Sequence, residues 1–183
     1  VRLASLVDKG GTVTNQSTTH ASGDTTAPDG LTELIVAAVA EACDPFTSTT
    51  VADAILRIPA AELSAFMHAR FDPDGDYTIL TTGLPASPGA ASGRIVTSAE
   101  AAVDAADRGL DVILVRTETT PDDVLGMQSA RGILTARGGL VSHAAVVARG
   151  WGIPAVVGAG EVVVVDGGIR IGDTFHAEGT EIS

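Results

Sequence analysis

Short runs of β-branched and aliphatic residues recur through the second half of the chain, and they constrain its fold more than any other feature. The runs lie at residues 112–115, 133–134, 155–157, 162–165 and 169–171. Helix-length stretches separate the first runs, whereas Asp166-Gly167-Gly168 is typical of a hairpin turn between the last two. Strands that alternate with helices and end in a hairpin predict an α/β fold of roughly 100 residues.

Capping residues mark where the intervening helices begin and end. Ser98 is expected to cap a helix that stops at Gly109. Thr120 is followed by Pro121 and two aspartates, which is typical of a strongly specified helix start. Before these helices, strands are expected at 78–82 and 93–96, with a loop at 83–92.

The first 76 residues have a different character. Residues 1–30 open with a brief amphipathic piece, Val1–Val7, and are then rich in Thr, Ser, Gly and Asp from Gly10 to Gly30, so 1–30 are predicted to be a flexible or loop segment. Residues 31–76 are predicted to form a small helical subdomain or linker, with helices at 31–42, from Thr50 to residue 56, and after Pro59. An Asp, Pro and Gly cluster at 72–76 marks the expected boundary with a main domain at 77–183.

Composition argues against several classes of function. Eleven Lys and Arg against 23 Asp and Glu give a net charge of −12, so no nucleic-acid binding is expected. No apolar run approaches the ~20 residues of a membrane-spanning helix, so no membrane association is expected. Cys43 is the only cysteine, which excludes an internal disulfide and suits a reducing cytoplasm. The chain begins with Val1 rather than Met, which suggests a piece of a longer polypeptide.

A glycine pair followed by a Ser-His pair is the strongest candidate site. The segment is Thr135-Ala-Arg-Gly-Gly-Leu-Val-Ser-His-Ala-Ala-Val-Val-Ala-Arg-Gly150, with His143 at the start of a helix expected to end at Gly150. A glycine turn that opens a helix gathers free N–H groups at the positive end of the helix dipole, which favours an anion. On this local pattern alone, a surface or capping histidine is the more ordinary alternative to a functional one.

Histidine can carry a phosphoryl group, because neutral imidazole is nucleophilic and the N–P bond is labile enough to pass the group on. The residues expected to stabilise that group are Gly138, Gly139, Ser142, Thr135 and Arg137, with Arg149 as a further candidate. Thr135 also fits an ordinary strand position. The two arginines fit ordinary strand-end and helix-end positions equally well.

Other chemistries fit the segment poorly. No second His, Cys or carboxylate lies at metal-ligand spacing around His143, so no metal site is expected. Ser142 and His143 are neighbours on a helix and do not face one another as a hydrolase dyad. The glycine pair lacks the lysine and spacing of a P-loop. His68 and His176 read as ordinary helix and edge-strand residues.

The segment resembles the phosphohistidine signature of the pyruvate phosphate dikinase family of PEP-utilizing enzymes, and related signatures occur in PEP synthase and enzyme I of the sugar phosphotransferase system. Two more blocks are similar to the dikinases: Gly83-Leu-Pro-Ala-Ser-Pro-Gly-Ala-Ala-Ser-Gly93 and Arg116-Thr-Glu-Thr-Thr-Pro-Asp-Asp-Val124. The helical stretch around 56–73 is also similar. The resemblance covers roughly 50–183.

The resemblance implies a swivelling β/β/α phosphohistidine domain with hinges within 72–89 and beyond Ser183. His143 is then the phosphorylated residue, reacting through Nε2. In this family, an ATP-grasp domain loads the histidine from ATP and phosphate, and a (β/α)₈ barrel transfers the group to pyruvate with Mg²⁺. Those partner domains are not recognisable in the 183 residues, so this chain alone is expected to bind neither ATP nor Mg²⁺ and not to complete the reaction. The complete enzyme is expected to be a homodimer.

Two alternatives remain at this point. One is the carrier domain of another ATP-dependent dikinase, such as PEP synthase, and the other is a stand-alone, non-catalytic phosphocarrier module. One departure from the family is Val141, where the dikinases usually carry a threonine that is regulated in several of them. Regulation by phosphorylation at residue 141 is therefore not expected, although Ser142 remains a candidate acceptor.

Overall fold

A six-stranded sheet carries the candidate site. The computed structural model describes residues 2–6, 31–44, 50–56, 68–71 and 77–183. The strands are β1 (Arg2–Leu6), β2 (Tyr77–Thr82), β3 (Leu84–Ser87), β4 (Gly93–Val96), β5 (Val112–Arg116), β6 (Gly132–Thr135), β7 (Ala155–Val157), β8 (Val162–Val165), β9 (Gly168–Ile171), β10 (Thr174–Ala177) and β11 (Glu181–Ile182). The helices are α1 (Leu31–Cys43), α2 (Val51–Leu56), α3 (Ala99–Asp107), α4 (Val124–Ser129) and α5 (His143–Trp151), with a 3₁₀ turn at Pro121–Asp123 before α4.

The six-stranded sheet has the order β11-β4-β5-β6-β7-β3. Strands β4, β5, β6 and β7 are parallel, and the two outer strands, β11 and β3, run antiparallel to their neighbours. A second, antiparallel sheet has the order β10-β9-β8, and β1 pairs antiparallel with β2. The parallel strands all point their carboxyl ends toward one edge, where the loops after β5 and β6 lie next to each other.

Both faces of the six-stranded sheet are buried. Val112 and Leu114 pack with alanines of α3 and α5 on one face. Their neighbours Ile113 and Val115 pack on the other face with residues of β8 and β9. Because successive strand residues point to opposite faces, one continuous apolar run contributes side chains to two hydrophobic cores. The predicted α/β class is confirmed, and the three layers are helices, large sheet and small sheet.

The chain divides into two compact units. The first comprises Val1–Thr14 and Arg70–Ser183, and the second comprises Asn15–Ala69. Helices α1 and α2 belong to the second unit, and the Thr50 hydroxyl accepts a hydrogen bond from the Asp53 backbone N–H at 3.2 Å, which caps α2 as predicted. Most of the expected third helix after Pro59, and the turn cluster at 72–76, lie outside the described residues. His68, which was expected in that helix, lies instead in a bend. The domain boundaries therefore stay predictions. Within the described part of the chain, no helix is both long and apolar enough to cross a bilayer.

Three local expectations were wrong. Arg2–Leu6, within the segment expected to be loop, form a strand that pairs with β2. Residues 84–87, also expected to be loop, form β3, and Pro85 is tolerated there because β3 is an edge strand. Helix α5 does not stop at Gly150 but continues to Trp151, and Gly152 ends it with a left-handed backbone, φ 68°.

Candidate functional site

His143 is the first residue of α5, at the carboxyl edge of the large sheet. Ser142 precedes it as the N-cap, with an extended backbone (φ −66°, ψ 162°), and its Oγ accepts a hydrogen bond from the Ala145 N–H at 3.4 Å. The capping places the half-buried imidazole beside the free N–H groups of the first helical turn. The sequence prediction of a helix opening at His143 is confirmed.

The two glycines of the turn have different roles. Gly138 has φ 106°, and a Cβ added there would lie 3.0 Å from Ser142 Cβ and 3.1 Å from its Oγ. Gly158 packs against the same turn, because an added Cβ would lie 2.8 Å from the Gly138 carbonyl oxygen. Gly139 is different, since an added Cβ would have no atom of the described residues within 4 Å. Gly138 is therefore required by the turn itself, whereas Gly139 leaves open space.

Thr119 is the residue in direct contact with the imidazole that the sequence did not single out. Its Oγ1 lies 3.1 Å from His143 Nδ1, within hydrogen-bond distance. No described residue hydrogen-bonds to Nε2. The Thr119 hydroxyl can accept from Nδ1–H or donate to Nδ1; in the tautomer in which Nδ1–H donates, the lone pair is on Nε2, and Nε2 is then the nucleophile.

The loop that carries Thr119 is held by its own polar contacts. The Asp123 carboxylate, which is buried, lies 3.1 Å from Arg116 Nε and accepts a hydrogen bond from the Thr120 N–H at 2.8 Å. The loop is also tied to the one after β6, because the Arg137 N–H donates to the Thr117 carbonyl at 2.9 Å. Arg116 lies opposite Thr135 at the end of the β5–β6 pairing. The hydrogen bond from Arg137 to Thr117 continues that pairing beyond the ends of the two strands.

The side chains of Thr135 and Arg137 face different surroundings. Thr135 is fully buried, and its hydroxyl donates to the Arg137 carbonyl at 2.7 Å, so it orders the loop from inside. The Arg137 side chain is exposed, with Nη1 4.0 Å from Glu118 Oε1. Of these two predicted phosphate-binding side chains, Arg137 is the one free to reach toward a ligand.

Arg149 stabilises the loop rather than facing the imidazole. It donates from Nη2 to the Leu140 carbonyl at 2.6 Å and from Nη1 to the Ala86 carbonyl at 3.2 Å. His176 lies on β10, an edge strand of the small sheet. Among the described residues, no group of three or more His, Cys, Asp or Glu could hold a metal ion.

Comparisons with known proteins point to one family. Residues 110–177 match the family model described as "PEP-utilising enzyme, mobile domain". The chain is 54% identical over 112 residues to pyruvate, phosphate dikinase of Rhizobium meliloti. This match covers 61% of this chain and 12% of the relative. It is 49% identical over 134 residues to the chloroplastic enzyme of Flaveria pringlei and 50% identical over 134 residues to chloroplastic enzyme 1 of Arabidopsis thaliana, each match covering 71% of this chain and 14% of the relative. The chain thus spans only a small part of the length of these relatives.

Proposed function

We propose that the chain is the phosphohistidine carrier of a pyruvate, phosphate dikinase, because residues 110–177 match the mobile domain of the PEP-utilising enzymes. His143 Nε2 accepts a phosphoryl group at one active site and releases it at another. The observation that carries this proposal is the Thr119–His143 contact, which occupies Nδ1 and leaves Nε2 free.

Loading takes two displacements. The Nε2 lone pair attacks the β-phosphorus of ATP in line, the N–P bond forms, and the bond from the β-phosphorus to the oxygen of AMP breaks, so that Nε2 carries a pyrophosphoryl group. Inorganic phosphate then attacks the terminal phosphorus, the bond from that phosphorus to the bridging oxygen breaks, and pyrophosphate leaves with the original β-phosphoryl group still on Nε2. In the unloading step, the enolate oxygen of pyruvate attacks the phosphorus, the N–P bond breaks, and the lone pair returns to Nε2. The net reaction is ATP + phosphate + pyruvate to AMP + pyrophosphate + PEP. Throughout the cycle Nδ1 keeps its proton and its bond to Thr119.

The surroundings of the imidazole suit a dianionic group. The N–H groups of the first turn of α5 and the helix dipole favour negative charge at this end of the helix. Gly139 leaves the approach open, and Arg137 is exposed beside it. We assign the binding of ATP, Mg²⁺ and pyruvate to an ATP-grasp domain and a barrel domain of the same enzyme, which we expect to be a cytoplasmic homodimer.

The test is transfer of label to this chain. The 183-residue chain is mixed with the Rhizobium meliloti dikinase, phosphate and ATP labelled at the β-phosphoryl group, and the proteins are separated on an alkaline gel. At 18.4 kDa the chain runs far from the much longer relative. We expect an acid-labile, base-stable label on the chain and none on His143→Asn. Equal labelling of the two would overturn the assignment.

A further inference from the structure

A buried carboxylate that takes no part in the proposed transfer lies behind the loop that carries Thr119. Asp123 is 4% exposed, and both of its carboxylate oxygens are engaged. Oδ1 lies 3.1 Å from Arg116 Nε, and Oδ2 accepts from the Thr120 N–H at 2.8 Å and from the Thr120 hydroxyl at 3.1 Å. A charge held this far from water needs such partners. Asp123 therefore connects the end of β5 to the peptide unit that follows Thr119.

Arg116, at the carboxyl end of β5, makes contacts in two directions. Its Nε forms the ion pair with Asp123, and its Nη1 donates to the Thr97 carbonyl at 2.9 Å, between β4 and α3. Thr97 is itself held, because its N–H donates to Glu178 Oε1 at 2.9 Å. The planar, forked guanidinium can make both contacts at once, whereas a lysine ammonium is a single point. Arg116 thus fixes the carboxylate relative to the end of β4.

Thr119 lies outside regular secondary structure, between β5 and the 3₁₀ turn, so its position depends on such contacts. The N–H that donates to Asp123 belongs to the peptide unit that joins Thr119 to Thr120. Because a peptide unit is planar, this hydrogen bond fixes the plane that contains the Thr119 Cα atom. From that position the Thr119 Oγ1 lies 3.1 Å from His143 Nδ1.

We propose that Asp123 is a positioning residue for His143, acting through Thr119, and that Arg116 holds its carboxylate in place. This inference rests on the proposed function, in which Nε2 must face the phosphorus in line. Without the anchor at Thr120, the Thr119 hydroxyl loses its fixed place, and the imidazole loses the contact at Nδ1. A displacement of about 1 Å is enough to slow a transfer that depends on alignment. The buried ion pair thus serves the reactivity of His143 as well as the fold.

The alternative is that Asp123 only stabilises the fold, by capping the turn before α4. Removal of a cap lowers stability, but it gives no reason for a change of tautomer in a histidine of another element. The tautomer of His143 and its rate of labelling therefore separate the two roles. The tautomer is read from nitrogen-15 spectra of the unphosphorylated chain, a measurement that needs no phosphoryl transfer.

The first test is Asp123→Ala. We expect it to change the tautomer ratio of His143 in the same direction as loss of the Thr119 hydroxyl does. Labelling should slow by roughly threefold to tenfold, the range expected when the hydrogen bond between Thr119 and His143 is lost. Arg116→Lys keeps a cation beside the buried carboxylate without the forked contact, and it should produce the same changes to a smaller extent. It decides the matter if Asp123→Ala does not fold.

Two matched controls remove similar contacts elsewhere. Asp111→Ala breaks an exposed ion pair, in which Arg131 Nε lies 2.7 Å from Asp111 Oδ1, at the amino ends of the same strands β5 and β6. Ser98→Ala removes the cap of α3, where Ser98 Oγ accepts from the Ala101 N–H at 3.1 Å. Both variants should keep the wild-type tautomer ratio and labelling rate, although Ser98→Ala should unfold at lower urea concentration.

A double variant tests whether Asp123 acts through Thr119. In Thr119→Val the contact with the imidazole is already absent, so adding Asp123→Ala should slow labelling further by less than about twofold, since residues on one path are not additive. An equal further loss in that background would assign Asp123 to the fold alone and would overturn the inference.

The wild-type tautomer ratio and labelling rate in the folded variants at Asp123 and Arg116 would also overturn it, while leaving His143 as the carrier. Failure of the unmodified chain to take label would contradict the proposed function itself. In that case the spectra still show whether Asp123 orients the imidazole.

Discussion

Replacing Thr119 by valine should change the tautomer of His143 and slow its phosphorylation. Valine keeps the shape of threonine but has no hydroxyl to pair with Nδ1, which lies 3.1 Å from Oγ1 in the folded chain. A hydrogen bond of this kind contributes roughly 0.5–1.5 kcal/mol net, and tenfold in rate corresponds to about 1.4 kcal/mol. Both residues are partly exposed, so water replaces some of the lost contact. We therefore expect labelling to slow by roughly threefold to tenfold.

A spectroscopic measurement of the His143 tautomer separates this role of Thr119 from a purely structural one. Nitrogen-15 spectra of the unphosphorylated chain should show the proton mainly on Nδ1 in the wild type, with a larger share on Nε2 in Thr119→Val. Thr119→Ser keeps the hydroxyl and should restore both the spectrum and the labelling rate.

Thr117→Val is the matched control in the same loop. The Thr117 side chain is exposed, and the valine keeps the carbonyl that accepts from the Arg137 N–H. If Thr119→Val has the same tautomer ratio and labelling rate as Thr117→Val, the hydroxyl does not orient the imidazole and the reasoning fails.

The remaining predictions concern glycines and the helix cap. Gly138→Ala should lower the free energy of unfolding by roughly 1–2 kcal/mol because of its positive φ, whereas Gly139→Val should unfold like the wild type in urea but accept label more slowly. Ser142→Gly should cost only a few tenths of a kcal/mol as an N-cap, so a large loss of labelling would mean that the hydroxyl contacts the phosphoryl group. Gly126→Ala should lower the free energy of unfolding by about 1–3 kcal/mol, because the added Cβ would collide with Ala99. The melting temperature should fall accordingly, and an unchanged melting temperature would contradict this packing.

The layer structure could be predicted because its signals are local. The run at 112–115 alternates between two buried faces, and the caps at Ser98 and Ser142 are present as hydrogen bonds. The two strands that lie in segments expected to be loop lack such signals. β3 contains a proline and is stabilised by pairing with β7, and β1 depends on pairing with residues about 75 positions away.

The position of His143 could be predicted from the sequence, but the residue that contacts its imidazole could not. The glycine pair and Ser-His pair carry the motif within a few residues, so His143 stands out from the sequence. Thr119 is 24 residues earlier, and it reaches His143 because β5 and β6 are adjacent and parallel in a fixed register. Residue types alone do not fix that register. The end of α5 was misjudged for a similar reason, since the sequence offers glycines at 150 and 152 and only the backbone shows which one is left-handed.

On the proposed function, the hydrogen bonds around His143 also indicate which contacts to the phosphoryl group other domains would have to supply. The Thr135 hydroxyl donates to the Arg137 carbonyl, Arg149 donates to the Leu140 carbonyl, and Ser142 caps α5. These groups hold the turn in place and are engaged within the domain. On the proposed function, an approaching phosphoryl group would meet the start of a helix and the exposed Arg137 side chain. In-line transfer requires charge stabilisation on three equatorial oxygens and on the leaving oxygen, more than these groups provide. We therefore propose that the domain only orients the nucleophile, and we expect the isolated chain to take no label from ATP until a donor domain supplies the remaining contacts.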